Sequence, residues 1–584
     1  MRTRGGRLRS RGLVLLGSAL TLALAAGCTN TPPPPLVSSP TSATSSTPPA
    51  PARQITVGVS SVAGGYNPHN LADQSTITTA LSQLLLPSVF RPGPNGAPAL
   101  DSTLMRSAEV TKADPFTVTY QLRGDASWSD SVPIAAEDFV YLWQQMRSSP
   151  GVIDPSGYQL ISNITSRQAG KEVEVTFSEP YPGWRTLFSN LLPAHLLKDA
   201  PGGWSGALGD TFPAYGGPFA IKTKDAARGE ILLERNERYW ERPAEVDQLV
   251  LRRSDQAGIS DALRSGNDQV ALVRTDAAGR RELARLNGGI ESHDVPQPTV
   301  AGLVLRPVGP VLSDERVRSG LAAMLNRDAL IAAGASGGPG AELRADSQVL
   351  APSSRGYRQT MPRDAPAAEH DEARAERLLA EAGYRRTAEG WVDSDDQPLR
   401  LVLAAPADVE PYVSIAEELR RQLVAGGVQV RLRTPEPREL YGGLLNTPSQ
   451  PIAEQDDEQN VGANIVVGPQ PAGGDPATLL ADKFGCRSLP APGDGTSGAR
   501  PPANSAGFCD PALQPSITAA LTGRLPLDEV LPRVEPQIWR QSVAIPLFQL
   551  ADTLAVRPDV SEVDSGPPMA GPFQGAIEWR RSAR

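Results

Sequence analysis

From Gln54 onward, apolar and polar positions recur with two different periods, and the period tells which element each stretch forms. In TVTYQLR (Thr117–Arg123) the residues Val118, Tyr120 and Leu122 share one face, and in EVEVTF (Glu172–Phe177) Val173, Val175 and Phe177 do the same. Both patterns predict half-buried strands. ITVGV (Ile55–Val59) predicts a short first strand. Past Pro133 the period changes: Phe139, Leu142, Trp143 and Met146 recur at i, i+3, i+4 and i+7, the stripe of an amphipathic helix. Glu137 and Asp138 fall in its first turn, where the helix dipole favours acids.

The second half predicts a clearer unit. LRLVLAA (Leu399–Ala405) reads as a strand, and a helix carrying Tyr412, Ile415, Ala416, Leu419 and Leu423 follows, stopped by Gly426 and Gly427. VQVRL then alternates Val428, Val430 and Leu432. Strand, helix and strand in that order predict a crossover between parallel strands, hence an α/β fold. Upstream, a helix over Asp371–Ala382 is predicted from Ala375, Leu378, Leu379 and Ala382, with Gly383 as its C′ residue. These stripes are core positions and carry no chemistry. The acidic stretch AEQDDEQN (Ala453–Asn460) reads as a solvated loop.

The first fifty residues have neither period. Arg2, Arg4, Arg7, Arg9 and Arg11 precede the apolar run Leu13–Ala26, then Gly27 and Cys28. Such a run is too short for a permanent membrane helix and suits a secretory signal. LAAGC resembles the lipobox of bacterial lipoproteins, with Ala25 where Leu is usual, so Cys28 is the expected site of lipidation and signal removal over 1–27. Residues 28–53 are dominated by Pro, Ser and Thr and predict a disordered tether.

Composition narrows the function classes. The chain of 584 residues has room for several cores. Its formal net charge is −9, and removal of the five leading arginines takes it to −14. A nucleic-acid binder would need a basic face, so that class is disfavoured. Beyond Cys28 only Cys486 and Cys509 remain, and an even pair in an exported protein favours a disulfide. A metal site is the weaker reading, since neither has a histidine or second cysteine nearby. GASGG (Gly334–Gly338) formally matches G-x-S-x-G around Ser336, but a nucleophile elbow needs a strand before it. Here a helix precedes and Pro339 follows, so Ser336 reads as a loop residue. His69, His195, His293 and His370 show no metal spacing. No catalytic residue, metal or cofactor is expected.

Several strings, in order, resemble the extracellular solute-binding proteins of the peptide/nickel class (family 5), the binding components of ABC importers. They are YNPH (Tyr66–His69), the run from Thr117 to Trp143, PAYGGPFAI (Pro213–Ile221), LLERNERYWERPAEVD (Leu232–Asp247), DERVRSGLAAMLNRDALI (Asp314–Ile331) and ARAERLLAEAGY (Ala373–Tyr384). The resemblance implies an α/β, two-lobed periplasmic-binding-protein-like fold of class II, with two crossover strands, an extra subdomain and a ligand cleft between lobes. The implied first lobe is 54–297 with 543–584, carrying a subdomain at about 88–210, and the second is 298–542. It implies no catalysis, an ABC permease as partner, a peptide-like ligand, a monomer, and a place on the outer membrane face. Tyr66, Asn67 and His69 are implied near the cleft, as are Gly468, Ala472 and Asp475 of VVGPQPAGGDPATLL.

Peptide-binding members of the family commonly carry an Asp three residues before an acidic-Pro pair, where it meets the peptide ammonium; here that position is Ala472, ahead of Asp475–Pro476. A buried ammonium without a carboxylate is costly, which favours a neutral or glycan-bearing ligand. A narrower resemblance lies within a glycolipid-linked branch of the family. It is carried by LLLPSVFRP (Leu84–Pro92), PGVIDPSGY (Pro150–Tyr158), LPAHLLKDAPGG (Leu192–Gly203) and the late cysteine pair. It implies an alternative role: binding a glycolipid and steering phosphatidylinositol mannoside, lipomannan and lipoarabinomannan synthesis, with membrane glycosyltransferases as partners.

Overall fold

Two long antiparallel strands, Glu291–Leu305 and Ala544–Val556, lie side by side in the middle of a ten-stranded sheet. The computed structural model describes residues 53–286, 288–446, 462–486 and 504–582. Cys28, the tether as far as residue 52, and the acidic stretch Ala453–Asn460 lie outside these residues.

On one side of the central pair the sheet continues through Ile465–Pro471, Arg400–Ala404 and Gln429–Arg433. On the other it continues through Val270–Val273, Gln54–Val59, Gln248–Arg253, Glu230–Arg235 and Phe219–Asp225. Gln54–Val59 runs parallel to both its neighbours, and Arg400–Ala404 runs parallel to both of its own. Parallel strands are covered on both faces, and all but the first residue of Gln54–Val59 are buried. The crossover read from Leu399 to Leu432 is present, with helix Tyr412–Ala425 burying Tyr412, Ile415, Ala416, Leu419 and Leu423.

Two separate apolar cores flank the central pair. One gathers side chains from Ile55 to Val295 and from Leu554 to Trp579; the other gathers them from Ala301 to Val467 and from Ile545 to Leu550. The chain therefore passes between cores along both central strands, between Val295 and Ala301 and between Leu550 and Leu554. The ladder slips its register between Pro296 and Val300, inside that passage. A register slip bends a strand and loosens its pairing locally, so the two-lobed α/β fold is articulated where its cores part.

The first core also holds the four-stranded antiparallel sheet Met105–Ala113, Phe116–Leu122, Glu172–Phe177 and Ile161–Arg167. The alternation expected in Glu172–Phe177 is observed, with Val173, Val175 and Phe177 buried. The helix expected after Pro133 begins at Ala136. Pro133 instead bridges back to Ser127, and the Asp138 carboxylate accepts the Ala135 N–H at 3.0 Å. Asp138 is accordingly buried, and also accepts from the Ala194 N–H at 2.9 Å. Burial pushes its carboxyl up to about 6 against those donors.

Cys486 and Cys509 are joined as a disulfide. Ser336 is the left-handed residue (φ 49°) that ends helix Arg327–Ala335, and its hydroxyl donates to the Ala333 carbonyl. Among the described residues no helix is long and apolar enough to cross a membrane, and no three His, Cys, Asp or Glu side chains converge as metal ligands.

Candidate functional site: the space between the lobes

The articulation is held by polar side chains from both central strands. Gln297 donates to the Asp552 carboxylate at 2.5 Å and to the Thr76 hydroxyl at 2.9 Å, while Thr76 donates to Asp552 at 2.7 Å. Gln549 donates to the Gln297 carbonyl at 2.8 Å. Burial raises the Asp552 carboxyl, with the Arg274 charge opposing. Buried polar groups satisfied by one another specify one arrangement of a joint.

The YNPH turn presents one half of a contact across the lobes. Tyr66 stacks on Phe212 with centroids 5.9 Å apart, and its hydroxyl donates to the Val62 carbonyl. The Asn67 side chain accepts from the His69 N–H, while its backbone N–H donates to Asp73 at 3.0 Å. His69 is buried against Trp204, with Nε2 3.0 Å from the Asn190 carbonyl, and burial lowers its pKa to about 4. So held, Asp73 receives Arg438 from the other lobe: Nη2 to Oδ2 is 2.9 Å and Nε to Oδ1 is 3.2 Å. The Asp73 side chain is 2% exposed and that of Arg438 41%. Arg438 also donates to the Ser205 carbonyl at 2.5 Å.

A second set of cross-lobe contacts centres on helix Pro476–Phe484. Asp482 accepts from the Ser156 N–H at 3.0 Å and from its hydroxyl at 2.5 Å. Thr478 and Tyr181 share a hydrogen bond of 2.8 Å. Asp154 is buried beside them. Burial first, then the charges of Asp482 and Asp475, push its carboxyl well above the usual range, with Lys483 opposing. Burial lowers Lys483 to about 8, opposed by Asp154, Glu535 and Asp482. The lobes are thus closed on one another.

Closure encloses two spaces. A cavity of about 310 Å³ is lined by Gly151–Asp154 of the first lobe, and by Gly468–Pro471, Tyr441, Leu445 and the 479–484 and 504–509 segments of the second. A groove of about 1130 Å³ lies along the articulation, lined by Ser60, Gly65, Thr76, Arg274, Gln297, Asp552, Tyr412 and Arg438 among others. Arg274 reaches across it to the Glu410 carbonyl, and its buried Nε has no partner. Ligand sites favour such concave, enclosed places between lobes.

Of the six residues implied by resemblance, Gly468 lines the cavity, where an added Cβ would meet the Tyr441 hydroxyl at 2.5 Å. Tyr66, Asn67 and His69 line neither space and support the wall that carries Asp73. Ala472 is 4% exposed in a small apolar cluster with Val300, Ala345 and Ala351. Asp475 caps helix Pro476–Phe484, accepting from the Thr478 N–H at 2.9 Å. Sequence reasoning did not single out Asp73, Asp154, Tyr441, Lys483, Asp482 or Arg438. Asp154 stood inside PGVIDPSGY, but nothing in its neighbours announces burial, because the partners come from residues more than three hundred positions away.

Two α/β lobes, a double-strand articulation and enclosed space between the lobes define a solute-binding protein. Residues 101–481 match the bacterial extracellular solute-binding proteins, family 5 (middle region). The chain is 34% identical to the probable monoacyl phosphatidylinositol tetramannoside-binding protein LpqW of Mycobacterium tuberculosis, over 98% of this chain and 99% of that one. It is 23% identical to the oligopeptide-binding protein OppA of Mycobacterium bovis, over 67% and 66%. The oligopeptide-binding protein AppA of Bacillus subtilis, solved with a nonapeptide, superposes with a TM-score of 0.71 at 15% identity, over 91% of this chain and all of that one. This chain belongs to family 5 of the bacterial extracellular solute-binding proteins, a family of the oligopeptide and nickel type whose members bind rather than transform their ligands.

Proposed function

We propose that the protein is anchored by a lipid on Cys28 outside the cell membrane, encloses a small solute between 54–297 with 543–584 and 298–542, and delivers it as a monomer to an ABC permease. The observation that carries this reading is the Arg438–Asp73 pair, which joins the lobes beside a groove of about 1130 Å³. Closure around a ligand is a two-state change driven by contacts made only in the closed state. The test is deletion of the gene: uptake of the solute that co-purifies with the protein should be lost, and normal uptake would refute the import role. Cys28→Ser should move the protein from the membrane fraction to the soluble one.

A second reading is favoured by the near full-length similarity to a protein named for a phosphatidylinositol tetramannoside and by Ala472, which brings no charge to its place. On this reading the ligand is a glycolipid, and the protein steers lipomannan and lipoarabinomannan synthesis through membrane glycosyltransferases. Unchanged lipomannan and lipoarabinomannan in the deletion strain would rule it out.

A further inference from the structure

The 310 Å³ cavity differs in chemistry from the groove along the articulation. Leu71, Val152, Val304, Leu445, Val466 and Phe484 make most of its wall apolar. Polar side chains also face it, and at two of them a buried atom is left without a partner. The Asp154 Oδ1 atom and the Tyr441 hydroxyl are both buried and neither makes a hydrogen bond. A buried polar atom without a partner costs about 1–3 kcal/mol, and Asp154 is further held in a left-handed backbone conformation, φ 55°. Such groups persist at places that a ligand completes.

We infer that this cavity is a subsite for the single apolar chain of a neutral amphiphile, with Asp154 and Tyr441 taking a hydroxyl or amide at the chain's polar end. This rests on the reading that the ligand lies between the lobes, and it names the class of ligand. Asp154 comes from the first lobe and Tyr441 from the second, so a guest that meets both ties the lobes together. The apolar wall gains from every methylene it covers. The ionisable groups facing the space argue for an uncharged guest. Asp154, Asp482 and Lys483 line it; Asp475 and Glu535 act on them from behind. Burial drives Asp154 toward its neutral form; Lys483, lowered only to about 8, keeps its proton at neutral pH beside Asp482, whose carboxylate is engaged by Ser156. A buried Asp154 that resists ionising offers no carboxylate to a peptide ammonium, which disfavours a zwitterionic peptide with its termini inside.

The test is calorimetric titration of the full-length protein with 1-monolauroylglycerol below its micellar concentration, beside glycerol and trileucine. Monolauroylglycerol should bind at one site and glycerol should not bind. Val308→Trp, which fills the cavity from its partly exposed edge, should weaken binding about tenfold, as should Tyr441→Phe, which removes one hydroxyl. Thermal unfolding of both variants should remain cooperative, showing that they fold. Monolauroylglycerol binding that is absent, or indifferent to both variants, overturns the inference. Should trileucine alone bind and be sensitive to both variants, the chain subsite is refuted while ligand capture between the lobes stands. Should none of the three bind, and the purified protein carry no ligand by native mass spectrometry, the interlobe reading falls with it.

Discussion

Arg438 and Asp73 stand 365 residues apart in sequence, and the guanidinium of one meets the carboxylate of the other with Nη2 2.9 Å from Oδ2. The pair joins the two lobes beside the groove. Asp73 is buried and anchored by the Asn67 N–H, so the strength of the contact depends on the turn beneath it as much as on Arg438.

Gly65 is the most sensitive position in that turn. A Cβ there would lie 2.0 Å from the Asp73 Oδ1 atom, which must then move. Gly65→Ala and Arg438→Ala should each destabilise by about 1–3 kcal/mol in denaturant unfolding. Because both act through Asp73, their effects should couple by more than about 0.5 kcal/mol. Strict additivity would show that Asp73 is not the shared element.

His69 should set a pH dependence in the acid range. Its folded pKa, about 4, lies below the unfolded value near 6.5, so between them the unfolded chain binds the extra proton. Stability from His69 is therefore complete above 6.5 and is lost as pH falls toward 4, by about 3 kcal/mol at most. Asp138 acts in the opposite sense: its carboxyl is raised to about 6, so its contribution is complete below about 4 and is lost as pH rises through 6. Comparing wild type with His69→Gln across pH 4–7 isolates the histidine; parallel curves would refute it.

Reduction of Cys486–Cys509, or its replacement by two serines, should lower stability by about 3 kcal/mol, the chain entropy of a loop of 23 residues. The denaturant midpoint with and without reductant measures it. No change would show that the cross-link does not restrain the unfolded chain.

Asp154→Asn should raise the stability of the ligand-free protein by about 1 kcal/mol at neutral pH, because the amide keeps the shape and tolerates the left-handed backbone while removing a carboxyl whose ionisation is opposed first by burial and then by the charges of Asp482 and Asp475. The same change should weaken the binding of monolauroylglycerol. Thermal unfolding reads the first effect and titration the second. A loss of stability would show that the ionised carboxylate is already satisfied without ligand.

Local physics made much of the fold legible in advance. Alternation in Glu172–Phe177 and the helical stripe from Tyr412 to Leu423 depend only on which side faces apolar surroundings, and each stands where its period placed it. Burial by distant segments is not written in a local period. Asp138 stands in the first turn where its position placed it, but the segments carrying Trp128 and Ala194 fold over it and make it a buried acceptor. The YNPH turn was legible as a motif near the cleft, yet its side chains are spent on Val62, Asn190 and Phe212, and the residue it delivers to the groove is Asp73.

By itself, then, the sequence determined the periods of its elements, the family it resembles, and the pairing expected of its two late cysteines, because each is written in neighbouring residues or in composition. Which carboxylate meets Arg438, which acid is left without a partner in an apolar cavity, and where the two cores part were decided only in three dimensions. A burial penalty belongs to a place rather than to a residue, and those places are made by segments hundreds of residues apart.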